Sequence, residues 1–165
     1  MKQITRRTLK TALLPGAVMC ALLSHGAAAH AAGTAAKLEG TWINQVSPYD
    51  CDSEQSAGVT FFSLTSFNAG GTTLFAPSSP FPSQRTPVVG AWEKVGDHTY
   101  KSLGVSFLFN AQGFFDGSQK IANTWQLNTN GDELTGTTVS EWFNTSGDFV
   151  RRVCATTVGT RIHVE

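Results

Sequence analysis

The sequence predicts an all-β protein, an eight-stranded antiparallel up-and-down barrel, and three observations predict it. Beyond residue 31 there is no helix-length run of apolar residues at 3.6 spacing. Turn signals recur at regular intervals, at Gly96-Asp97, Ala111-Gln112-Gly113, Asn130-Gly131-Asp132 and Gly147-Asp148. Gly and Asn tolerate the positive φ that tight hairpins require. Between those turns lie alternating stretches with aromatic residues in nearly all of them.

The glycines at 96, 113, 131 and 147 stand 17, 18 and 16 residues apart. Removing the turns leaves four long strands, His98 to Phe109, Phe114 to Asn128, Glu133 to Asn144 and Phe149 to Ile162. Consecutive strands joined by tight turns form an antiparallel meander. Four shorter strands precede them: Gly40 to Ser47, Gly58 to Phe67, Thr72 to Ala76 and Val88 to Val95. Between the last two runs Pro77 to Pro87, with prolines at 77, 80, 82 and 87. Proline cannot donate to a ladder, so this segment reads as a loop or lid over the rim. A meander of eight strands either keeps two raw edges or closes, and closure abolishes them. A barrel of eight is just wide enough for packed side chains or one small ligand. Phe61-Phe62 and Phe114-Phe115 put an aromatic on each face, so alternation alone does not sort inside from outside there.

The first residues have a different grammar. Lys2, Arg6, Arg7 and Lys10 form a basic start without an acid, Thr11 to Leu23 is apolar, and Ala29-His30-Ala31 is an Ala-x-Ala pattern. Basic, apolar, small is the order of a secretory signal peptide, here 1–31, which leaves one domain over 32–165. The apolar run is shorter than the roughly 20 residues a bilayer span needs. Arg6-Arg7 is also compatible with the twin-arginine export route. Periplasmic or secreted localisation follows, with no integral membrane segment once the signal is removed.

Removing that segment changes the charge. The whole chain has twelve basic and twelve acidic residues; the part after residue 31 has eight against twelve, a net charge of −4. A mildly acidic domain without a basic face is a poor nucleic-acid partner. Cys20 leaves with the signal, and Cys51 and Cys154 remain. An oxidising compartment favours a disulfide between them over two free buried thiols. No metal-ligand spacing links these cysteines to His98 or His163, and no cofactor motif is present.

Two motifs resemble the lipocalin and wider calycin barrels: the Gly-x-Trp of Leu38-Glu39-Gly40-Thr41-Trp42 at the head of the first strand, and Arg161, after Gly159-Thr160, at the end of the last. The likeness runs from about Leu38 to Ile162. It implies that Trp42 closes the barrel floor and Arg161 packs across it as a cation–π partner, both in structural roles.

Chemistry has few candidates. Gly-x-Ser-x-Gly is absent, and neither histidine sits where a nucleophile would use it. Glu141 and Arg152 are charged residues in mid-strand, and because strands seven and eight are neighbours, Glu141 and an Arg can form a cross-strand pair. Facing solvent, they are a plain ion pair; facing inward, Glu141 would be a proton acceptor, as an isomerase or cyclase of this barrel type would need. The leading expectation is a binding module for a small hydrophobic ligand, lined by Phe61, Phe107, Trp125, Trp142 and Arg152. A packed barrel displaying its Pro-rich loop to a partner is the third. Oligomeric state is not legible.

Overall fold

The computed structural model describes residues 37–79 and 82–164, so the segment read as a signal peptide lies outside the described residues. Eight strands form: β1 (Gly40–Tyr49), β2 (Phe61–Asn68), β3 (Thr72–Pro77), β4 (Val88–Lys94), β5 (Thr99–Phe109), β6 (Phe115–Leu127), β7 (Glu133–Phe143) and β8 (Phe149–Arg161). Each pairs antiparallel with the next, and β8 returns to pair with β1, from Trp42 opposite Arg161 to Tyr49 opposite Cys154. The protein is therefore a closed eight-stranded up-and-down barrel, the shape expected of a lipocalin-like fold.

Four of the seven strand connections are made by one repeated device, Asn-x-x-Gly, at Asn68 to Gly71, Asn110 to Gly113, Asn128 to Gly131 and Asn144 to Gly147. In each, the Gly amide donates to the Asn carbonyl, at 2.9–3.2 Å. Each Gly has φ between +81° and +86°, where a Cβ would be strained. In the last three the Asn side-chain oxygen accepts further amides, for example Gly131 at 2.8 Å and Asp132 at 3.0 Å on Asn128. These Asx turns set the strand register.

Strand parity divides the barrel into two ends. The turns after β2, β4 and β6, with the start of β1 and the end of β8, make the floor. The loops after β1, β3, β5 and β7 make the mouth. The floor is packed: Leu38, Trp42, Phe67, Phe75, Val88, Tyr100, Trp125, Leu127 and Leu134 form one buried cluster. Phe67 meets Phe75, Trp92 and Trp125 edge-on, with ring centroids 5.7–6.2 Å apart. Such contacts add to the burial of apolar area.

Arg161 seals this end. Its guanidinium carbon lies 4.3 Å from the Trp42 ring centroid. Its nitrogens donate to the Gly131, Glu39 and Lys37 carbonyls. The Trp42 indole donates to the Leu38 carbonyl at 3.0 Å. Gly40 sits beneath: its φ is +131°, and a Cβ there would stand 2.6 Å from Arg161 Nη1. The Gly of Gly-x-Trp is thus required by both backbone conformation and space.

Candidate functional site

Above the aromatic floor the inward residues become polar. Asn44, Ser63, Thr65, Ser102, Ser106, Gln119, Asn123, Ser140 and Thr157 are all buried. Buried polar groups must be paired, and here they pair across strands. Asn44 donates to Thr65 at 2.7 Å, Trp125 and Asn123 both donate to Ser102 at 2.9 and 3.0 Å, and Thr138 donates to Asn123 at 2.6 Å. Nearer the rim Gln119 donates to Ser140 at 2.5 Å.

The outward face inverts the pattern. Phe62, Leu64, Leu74, Val89, Leu103 and Val105 stand exposed on β2 to β5. Hydrophobic does not mean inside in this barrel, which is why alternation read from hydropathy is noisy here.

Between the polar girdle and the mouth is a cavity of about 310 Å³, at the small end of ligand pockets. Its apolar walls are Phe61, Phe75, Ile121, Trp125, Trp142 and Val153; its polar ones include Gln119, Asn123, Thr138 and Ser140. Among the described residues, Arg85 and Arg151 are the charged ones in its lining, and no Asp or Glu is among them.

The segment after β3 forms the upper wall. Ser78 is bonded to β2, its amide donating to the Phe62 carbonyl at 2.8 Å. Pro82–Gln84 makes a 3-10 turn. Then the Thr86 amide donates to the Phe107 carbonyl, and the Phe107 amide to Thr86 Oγ1, both at 3.0 Å. The described residues of the Pro-rich stretch, 78–79 and 82–87, form a strap fastened to β2 at Ser78 and to β5 at Thr86.

That strap holds Arg85, which is 7% exposed. Its Nη2 donates to Ser106 Oγ at 3.2 Å and its Nη1 to the Ser79 carbonyl at 3.4 Å, a long contact, while Nε has no partner among the described residues. Burial pushes its pKa down to about 10, which leaves it a cation at neutral pH. Arg85 also borders a groove on the outer wall beside Phe62 and Leu64; the bond to the buried Ser106 directs its guanidinium inward.

The loop after β1 closes the opposite side. Cys51 is disulfide-bonded to Cys154 of β8, with Cα atoms 5.0 Å apart. Asp52 pairs with Arg152 at 3.0 Å. The Ser53 amide and hydroxyl, with the Asp52 amide, hold the Asp50 carboxyl below its usual pKa.

The expected site residues separate on this geometry. Phe61, Trp125 and Trp142 line the cavity. Phe107 does not: it is 54% exposed, on the outer face, edge-on to Phe115 at 5.9 Å. Arg152 likewise points outward, to Asp52, and its neighbour Arg151 takes the inward position, 4.6 Å from the Trp142 ring centroid. Glu141 is on the outer face, opposite Lys120 and Arg152 in the ladder and 3.7 Å from the Lys120 ammonium. Neighbours in a strand face opposite ways, so with Trp142 inward Glu141 cannot serve as a proton acceptor in the cavity. Trp42, Arg161, Cys51 and Cys154 make the contacts expected of them.

Sequence reasoning missed Arg85, which sits in a loop where parity is not defined. Arg151 was within reach: it has the same parity as Arg161, ten residues along the same strand. His98 and His163 both flank the floor end, away from the cavity. Among the described residues no group of three His, Cys, Asp or Glu is placed to hold a metal, and no helix is long and apolar enough to cross a membrane. No family model matches the sequence, and no curated protein matches it.

Proposed function

We propose that this chain is an exported, lipocalin-like carrier or receptor that holds one small, mainly hydrophobic molecule in the mouth half of its barrel. The cavity carries this reading. A barrel of eight strands can fill its interior with side chains, and the floor does so; the mouth half leaves about 310 Å³ between Phe61, Trp125 and Trp142 instead. The disulfide between Cys51 and Cys154 fits an oxidising periplasmic or extracellular setting. The isomerase or cyclase alternative needs an inward acid, and the cavity lining has none.

Native mass spectrometry of the protein purified from its own periplasm or culture medium tests the proposal. A non-covalent small-molecule adduct is expected. It should be lost in Ser140→Phe, which fills the cavity from β7. An adduct that persists in that variant, or bare protein from every preparation, would overturn the reading.

A further inference from the structure

We infer that the cavity takes a small amphipathic carboxylic acid, its carboxylate on Arg85 and its apolar body against Phe61, Phe75, Trp125 and Trp142. This rests on the cavity being a ligand site, and adds which chemistry it selects.

Arg85 is the observation that carries it. Removing a charge from water costs several kcal/mol even after relaxation, so a buried guanidinium normally has an anionic partner. Arg85 has none: its contacts are a serine hydroxyl and a long one to a carbonyl, and no carboxylate oxygen lies within 4.0 Å among the described residues. Its Nε–H is left over, although the residue is 7% exposed and borders the cavity. The local field is not a property of the whole surface, because the chain beyond residue 31 is net acidic. Acids are kept out of the cavity wall, and a second cation, Arg151, stands at the rim over Trp142.

The guanidinium edge is planar and presents parallel N–H donors, the geometry a carboxylate accepts with both oxygens. One buried cation balances one negative charge. Arg151 is exposed and held over the Trp142 ring at the rim, so a phosphate dianion on Arg85 would leave its second charge uncompensated in the apolar part of the site, which is costly. The walls leading away from Arg85 are aromatic and aliphatic, so the remainder of the ligand is apolar. The girdle beneath, Asn123 and Thr138 with Gln119, can meet a hydroxyl or carbonyl on that body; Gln119 Oε1 has no protein partner.

Isothermal titration of the intact, oxidised protein with matched probes tests this: octanoate against octan-1-ol, and 3-phenylpropionate against 3-phenylpropan-1-ol. The acids are expected to bind about ten- to a hundredfold more tightly than the alcohols, the range of a charge-assisted hydrogen-bonded pair. The preference should vanish in Arg85→Met and largely survive in Arg85→Lys. Equal binding of acids and alcohols overturns the assignment to Arg85 and leaves the cavity as an apolar site. Binding of neither class overturns both. A preference that persists in Arg85→Met and disappears in Arg151→Met moves the head group to the rim and overturns the proposal. Should Arg85→Met fail to fold, the wild-type acid-to-alcohol ratio together with Arg151→Met decides: a ratio near one, or one abolished by Arg151→Met, refutes it.

Discussion

The two ends of this barrel are built on opposite rules. At the floor, aromatic side chains pack mostly edge-on in one buried cluster, and Arg161 beside them donates to three backbone carbonyls. At the mouth, the interior carries amides, hydroxyls and two arginines around a cavity, and some of their polar atoms find no protein partner. The same strands run through both ends, so the difference is not one of topology. It lies in what the inward positions hold: Trp125 and Leu127 at the floor end of β6, Gln119 and Asn123 toward its mouth. One end is built for stability; the other, on the function proposed above, is built for recognition. Mutations should therefore cost stability at one end and selectivity at the other.

The sharpest way to break that comparison is at Trp42. Trp42→Ala removes a fully buried ring, its bond to Leu38 and the surface under Arg161. The expected loss is at the upper end of about 3–5 kcal/mol, read as a lower denaturant midpoint. A loss below about 1 kcal/mol, the level of a tolerated surface change, would mean the floor is not the stabilising end. Next comes the paired variant Cys51→Ser with Cys154→Ser. The bond closes a separation of 103 residues, for which the chain-entropy model gives about 4.7 kcal/mol before strain. Urea unfolding with and without reductant measures it.

The mouth should respond differently. Gln119→Leu removes a buried amide whose oxygen has no protein partner. We expect stability to change by no more than about 1 kcal/mol in either direction, with altered probe affinity instead. A large destabilisation would show that the girdle is structural after all. The smallest effect is expected at Glu141→Gln. Its pair with Lys120 spans 3.7 Å on a partly exposed surface, and such pairs contribute about 0.5 kcal/mol or less. Neither stability nor ligand affinity should shift measurably; a change in ligand affinity would contradict its outward placement.

The fold was legible because its signals are local. Asn-x-x-Gly turns and strand lengths are set within a few residues of sequence, and closure follows once eight such strands are counted. Trp42 and Arg161 were legible through the resemblance of Gly-x-Trp and the late Arg to lipocalin barrels, and the closing ladder sets the two opposite each other. The site was harder to read. Phe107 reads as lining in the sequence because aromatics are usually core, but β2 to β5 carry their apolar residues outward as well as inward. For Glu141 the sequence leaves an outward ion pair and an inward acid both open, and the inward position of Trp142 decides between them, since adjacent strand positions face opposite ways. Arg85 carried no periodic signal at all, and only the fastening of its loop to β5 turns it into the barrel.

The disulfide has a consequence beyond its stabilising effect. Cys51 follows the first strand and Cys154 lies within the last, so the chain from one to the other is a covalent ring that contains six complete strands. A protease that nicks one of the exposed mouth turns, such as 110–114 or 144–148, opens that ring without releasing a fragment from it. The two pieces stay joined, every cavity-lining residue stays present, and the cut is visible as separate bands only after reduction. In any protease-containing, oxidising setting, that arrangement separates being cleaved from being lost.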